Sequence, residues 1–220
     1  MAEFLDRAEA GRRLAAALMR FAPEAPLVLA LPRGGVPVAF EVARALKAPL
    51  DVLLVRKIGA PGHEELALGA LVDADPPELV LNPNVVSAVR PPAGYVEAAR
   101  QRQLSEIERR RHLYRRGRPP LPVRDRVVIV VDDGIATGAT MKAAVRGIRQ
   151  SGPRRLIVAV PVAPAETVAE LGEECDDVVC LETPEPFYAV GVHYARFAQT
   201  SDEEVVALLK AAQPEASIGK

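Results

Sequence analysis

Val127-Val128-Ile129-Val130-Val131-Asp132-Asp133-Gly134-Ile135-Ala136-Thr137-Gly138-Ala139-Thr140 runs from a purely apolar segment through two acids into a turn of small residues. A continuously apolar run of this length reads as a strand covered on both faces, the habit of a parallel sheet. The acids then emerge at the carboxyl end of that strand, where open parallel sheets collect their ligands. The small residues at 135–140 let backbone N–H groups approach a phosphate, and the helix they open adds a favourable partial positive charge. Thr137 and Thr140 supply hydroxyl donors. A hydrogen bond to a charged acceptor contributes roughly 1.5–3 kcal/mol, so a handful would hold a phosphomonoester without a lysine. Asp132 and Asp133 would repel that phosphate and must face another part of the ligand. Vicinal ribose hydroxyls suit them: carboxylates accept from the 2- and 3-hydroxyls or, through water, help hold Mg2+. The bland alternative, an acidic strand end before an ordinary N-cap, accounts for neither the combination nor its order.

Outward from this stretch the chain repeats strand, turn and helix. Upstream, Pro26-Leu-Val-Leu-Ala-Leu-Pro32 precedes Arg33-Gly34-Gly35, a helical stretch at 36–46 and an apolar run at 50–55; downstream come helices at 139–150 and 165–172 and strands at 156–160 and 178–181. The alternation predicts an α/β fold, a parallel twisted sheet with helices on both faces. Residues 4–19 read as a docked amphipathic helix through Phe4, Leu5, Ala8, Leu14, Ala15 and Leu18, and a last helix is expected at 202–212. Residues 58–124 break the rhythm, with short strands at 66–72 and 79–82, a turn at 73–77 and a helix at 94–115. The expected organisation is therefore a core of residues 1–57 and 119–220 with an inserted lid or hood at 58–118.

Composition narrows the partners. Lys and Arg number 28 against 29 acids, a formal charge of -1, so no global positive field holds a nucleic acid and any anion site must be local. Eight arginines against three glutamates crowd residues 94–118, but Leu104, Ile107 and Tyr114 mark a packed face, leaving a solvated basic one. Cys175 and Cys180 lie in or beside an apolar run and read as structural thiols of a reducing compartment. The N-terminus lacks the order of a secretory signal and no apolar run is long enough to span a bilayer, so a cytoplasmic address with no membrane partner is expected.

The segment 127–140 resembles the ribosyl-diphosphate signature of the type I phosphoribosyltransferases: apolar residues, two acids, then Thr-Gly-x-Thr, here Thr137-Gly138-Ala139-Thr140. The resemblance implies that family's fold and a donor, 5-phosphoribosyl-1-diphosphate, whose phosphoribosyl group passes with Mg2+ to a nitrogenous acceptor such as a nucleobase. It assigns Asp132 and Asp133 to the ribose hydroxyls and Ile135, Ala136, Thr137, Gly138, Ala139 and Thr140 to the 5-phosphate. Arg33, Gly34 and Gly35 resemble the diphosphate loop, and Lys57, ahead of Arg56, is the first choice for the basic residue reaching that group; with Asp132 and Asp133 it completes the expected catalytic set. Gly134 replaces the usual aliphatic residue and should loosen the turn, and Ala136 stands where some purine enzymes carry an aspartate proposed as a base. Any base must come from elsewhere.

On the acceptor side, Pro186-Phe187-Tyr188-Ala-Val190-Gly191-Val-His193-Tyr194 resembles the segment that stacks and covers a nucleobase, making Phe187 and Tyr188 the acceptor candidates. No lysine follows the strand at 156–160 and no acid closely follows Gly191, which argues against hypoxanthine or guanine. His193 reads as a packed residue, and His63 falls where this fold often has a closing loop. A homodimer is left open. The competing reading is a regulator that keeps the fold, senses the phosphoribosyl compound and binds RNA or a protein through the arginine-dense stretch. A nucleotide hydrolase is disfavoured, since the chain lacks a Gly-x-x-x-x-Gly-Lys-Thr/Ser loop.

Overall fold

The computed structural model describes residues 2–74 and 76–213; Asp75, in the expected turn, lies outside the described residues. Five parallel strands form the main sheet: β1 (Leu27–Ala30), β2 (Leu50–Val52), β6 (Val127–Val131), β7 (Arg155–Val162) and β8 (Asp177–Glu182), in the spatial order β2-β1-β6-β7-β8. Alternate residues of each strand feed different layers. Val28, Ala30, Ile129 and Ala159 join the cluster built on α1 (Arg7–Leu18), α2 (Gly35–Leu46) and α7 (Asp202–Ala211), whereas Leu29, Val130 and Val158 join the one built on α5 (Ala139–Gln150) and α6 (Ala165–Gly172). Both faces are covered, as the unbroken apolar strands required.

The order of the strands positions the site. From β1 the chain moves outward to β2, then returns to add β6 on the other side of β1. A crevice opens outside the carboxyl ends of strands at such a switch point. Leu27 pairs with Val128 and Ala30 with Val131, so the turns after β1 and β6 leave the sheet side by side.

The segment between β2 and β6 forms a second sheet, the antiparallel β3 (Val55–Ala60), β4 (His63–Val72) and β5 (Glu78–Leu81), followed by α3 (Pro83–Val89) and α4 (Tyr95–Arg115). Val72 and Val80 pack it against the α5 layer, while Ile107 and Tyr114 bury α4 in the α2 layer. A small core of its own, Ile58, Ala60, Leu68 and Ala99, lies between the sheet and the helices.

Four local expectations differ from the structure. The run at 50–55 is split: β2 stops at Val52 and β3, which starts at Val55, belongs to the other sheet. The stretch around His63 is a β-hairpin rather than an irregular loop; Ala60 pairs with His63 across Pro61-Gly62, with Gly62 at φ 73° as the third position of a type II turn requires. Asp6 caps α1 by accepting the Glu9 amide at 2.9 Å, so Phe4 and Leu5 fall outside the helix, and Phe4 bridges to Tyr194 instead. The short α3, capped by Asn82 with Pro83 in its first turn, was not expected.

Candidate functional site

The turn after β1 and the turn after β6 touch. A Cβ on Gly34 would stand 2.1 Å from Asp133 Oδ2, and one on Gly35 would stand 2.8 Å from the Val131 carbonyl and 2.9 Å from Asp132 Cα. Glycine is required at these positions by close approach, and the Pro32–Arg33 peptide between strand and glycines is cis. Gly35→Ala, which meets backbone on two sides, should cost about 1–3 kcal/mol as an overpacking change and weaken donor binding; a melting curve and a titration on the same variant check both.

Two helices start at this crevice without a side-chain cap: α2 behind Gly34 and α5 behind Gly138, the latter at φ 74°. At α2 the Gly35 amide donates to the Leu31 carbonyl and the Val36 amide to the Arg33 carbonyl, each at 3.1 Å, whereas the first amides of α5 lack intrahelical acceptors. In the turn before α5, the N–H groups of Ala136, Thr137 and Gly138 have no acceptor among the described residues, and Ala136, Thr137, Ala139 and Thr140 are exposed. Ile135 differs from them. Its amide donates to the Val162 carbonyl at 2.9 Å and its side chain is buried, so it anchors the turn and has no N–H left for a phosphate. Gly134 does not loosen the turn either: a Cβ there would stand 2.5 Å from Val190 Cγ1 and 3.0 Å from Val162 Cγ1. The missing side chain is the space into which Val190 packs.

The acids are held differently. Asp132 Oδ1 accepts the Asp133 amide at 2.8 Å, and burial, then the neighbouring Asp133 charge, keeps the Asp132 carboxyl protonated well above the usual carboxylate range. Asp133 Oδ2 receives Arg7 Nε at 2.7 Å. The Arg7 guanidinium also donates to the Ala198 carbonyl at 2.6 Å and lies 3.9 Å over the Phe197 ring. Tyr194 donates its hydroxyl to the Asp133 carbonyl, and burial holds that phenol protonated far above its ordinary range.

A family model described as "Phosphoribosyl transferase domain" matches residues 2–195. The chain belongs to this family. The Mycobacterium tuberculosis (H37Rv) protein named "Putative phosphoribosyl transferase Rv0571c" is 50% identical over 206 residues, 94% of this chain and 46% of the relative, and MT0597 of strain CDC 1551 matches equally. The chain thus spans about half the length of the curated relatives it matches. The crystal structure of TT1426 from Thermus thermophilus superposes with a TM-score of 0.84 at 47% identity, covering 96% of this chain and 100% of that one.

Within this phosphoribosyl transferase domain the remaining candidates separate. Arg33 stands on the loop 4.0 Å from Asp202. Lys57 lines a groove of about 260 Å3 between the second sheet and α5, together with Thr137 and Thr140. Neighbouring Arg56 lines a different cavity, beside Leu31 and Pro32. Phe187 stacks on His193 with centroids 5.2 Å apart and packs with Phe4 and Tyr194, while Tyr188 is 80% exposed. His193 is buried, its Nδ1 3.0 Å from Glu3, as a packed residue would be. The aromatic side chains joined to the acids are Tyr194, through its hydroxyl, and Phe197, through Arg7. Sequence reading missed Arg7, Tyr194 and Phe197 in this role. No local signal marks Arg7, which meets an acid 126 positions away. Among the described residues no helix is long and apolar enough to cross a membrane.

Proposed function

We propose that this domain transfers the 5-phosphoribosyl group of 5-phosphoribosyl-1-diphosphate to a nitrogenous acceptor of nucleobase type, with release of diphosphate. The observation that carries this reading is the meeting, at one switch point, of the glycine loop before α2 and the turn before α5, whose amides are open, with the Asp132–Asp133 pair between them. Each end of the donor then has a complementary seat. The exposed amides and hydroxyls of Thr137 and Thr140 take the 5-phosphate, the acids take the ribose hydroxyls, and the Arg33–Gly35 loop takes the diphosphate. Residues 58–118 act as the cover: their sheet walls the groove that carries Lys57 and runs to Thr137 and Thr140, which supports a phosphate-binding role for Lys57.

The acceptor nitrogen bonds to C1 of the ribose as the electron pair of the C1–O bond leaves with diphosphate, and the displaced proton passes to solvent. An oxocarbenium-like charge develops on the sugar meanwhile. The chain's share is positioning. It holds the sugar at both ends, aims fixed donors at the leaving group and excludes water. Among the described residues no cluster of three or more acids, histidines or cysteines could hold a metal. Asp132 and Asp133 would fit Mg2+ only with help from the substrate and water, and the ion would supply neutralising charge for the diphosphate.

The regulator reading loses much of its motivation, because the arginines of α4 are largely engaged: Arg109 and Arg110 on Glu106, Arg111 and Arg115 on Asp73. Incubation with the donor, Mg2+ and a panel of nucleobases and other amines should release diphosphate in an acceptor-dependent manner. Intact donor with every acceptor would remove the reading.

A further inference from the structure

Arg7 is the first residue of α1, directly behind its cap Asp6. A cation in the first turn sits at the positive end of the helix dipole and works against the helix. The side chain is also mostly buried, 12% exposed, which takes a guanidinium out of water. Neither α1 nor solvation accounts for arginine at this position; its contacts do. Nε donates to Asp133 Oδ2 at 2.7 Å, Nη1 donates to the Ala198 carbonyl at 2.6 Å, and the Phe197 ring backs the guanidinium at 3.9 Å. Two segments far along the chain thus fix one planar group.

The contact with Asp133 is single. An arginine often grips a carboxylate through two parallel donors, which engages both oxygens. Here Nη1 is turned to Ala198, so the guanidinium holds Oδ2 and leaves Oδ1. Oδ2 also lies against Gly34, where a Cβ would stand 2.1 Å from it. Tyr194 holds the backbone of the same residue, through its hydroxyl on the Asp133 carbonyl. Asp133 is therefore fixed at its main chain and at one carboxylate oxygen, as an acceptor oriented in advance for a hydroxyl would be.

We propose that Arg7 is a positioning residue: it holds Asp133 so that Oδ1 accepts a ribose hydroxyl. The role rests on the donor assignment above and deepens it, bringing α1, which lies outside the two turns that carry the rest of the site, into ribose recognition. Phe197 and Ala198 act one step further out, by holding Arg7.

The test is an NMR titration of the whole chain with ribose 5-phosphate and, separately, with inorganic phosphate, followed on the amide signals of the turn at 136–140. The readout is the ratio of the two affinities. Both probes feel the charge of Arg7, so its pull on the phosphate cancels in the ratio and the contacts to the sugar remain. Arg7→Met should lower the ratio by about five- to thirtyfold, and Asp133→Ala by about as much, since either leaves a hydroxyl without its oriented acceptor. Adding Arg7→Met to Asp133→Ala should then change the ratio by less than about twofold, because both act through one acid. Arg12→Met, which takes a guanidinium from an exposed position of the same helix, should leave the ratio unchanged. Dispersed spectra show which variants are folded; if Arg7→Met is not, Phe197→Leu removes the ring behind the guanidinium and should lower the ratio about two- to fivefold. An unchanged ratio in a folded variant, a further fall in the double variant, or an equal fall in Arg12→Met would overturn the positioning role. Failures of the two readings are distinct. If ribose 5-phosphate binds the wild type no better than inorganic phosphate, the donor assignment falls and takes the role of Arg7 with it; if it binds better and Arg7→Met keeps the ratio, the positioning role alone falls.

Discussion

Asp132→Asn combined with Asp133→Asn should weaken 5-phosphoribosyl-1-diphosphate binding by about 10²–10⁴-fold, the loss of two hydrogen bonds to charged groups. Isothermal titration checks it, and unchanged affinity would sink the ribose assignment. The direction is not obvious from charge alone. Removing the Asp133 charge beside a polyanionic donor should tighten binding if that acid only contributed repulsion, and Arg7, stripped of Asp133, would become a further cation in the crevice. A fall in affinity therefore isolates their service as acceptors for hydroxyls. The single change Asp132→Asn separates this service from folding. The folded protein binds the Asp132 proton more tightly than the unfolded chain does, because burial and the Asp133 charge raise its pKa above the ordinary value of 3.8. Ionisation of Asp132 consequently destabilises the fold as pH rises from that unfolded value through the raised one, and a neutral amide escapes the penalty while still accepting the Asp133 amide. At pH 7 the variant should melt above the wild type, and near pH 3 the difference should close. Asp132 is held against the stability of the fold, so packing does not account for it.

How far the sequence carries depends on how local the determining physics is. β6, the turn and α5 were legible because each is fixed by neighbours in the chain: an unbroken apolar run, small residues, and a helix whose observed bounds are those expected. The pairing of Arg33-Gly34-Gly35 with that turn was legible through the family resemblance, and the glycines' close approach supplies its physical reason. What remained hidden is tertiary. Arg7 looked like one of several polar residues between apolar ones on an amphipathic helix, and only the packing of α1 brings it within 2.7 Å of Asp133. Gly134 looked like a loosened turn because Val190, which fills its space, lies far along the chain. Phe187 and Tyr188 have the composition of a stacking pair; in the structure Phe187 stacks on His193 and Tyr188 stands in solvent. The break at 53–54 was invisible because Leu53 and Leu54 are as apolar as the strand residues around them, and both are buried without belonging to either sheet.

Arg115→Met should destabilise the protein by about 3–5 kcal/mol, read as a lower urea midpoint with an unchanged slope. Arg115 is buried at the carboxyl end of α4 and joins three parts of the chain. Its Nε lies 3.0 Å from Asp51 Oδ1 on β2, its Nη1 2.7 Å from Asp73 Oδ2 just after β4, and its Nη2 2.7 Å from the Val52 carbonyl. Methionine fills much of the stem's volume, so the expected cost is chiefly electrostatic. Asp73 keeps Arg111, whereas Asp51 keeps only the amides of Val52 and Leu121 and becomes a buried carboxylate without a cation. Asp51→Asn added to Arg115→Met should therefore recover part of the loss, and a double-mutant cycle measures the pair. If the single variant unfolds like the wild type, the network does not hold α4.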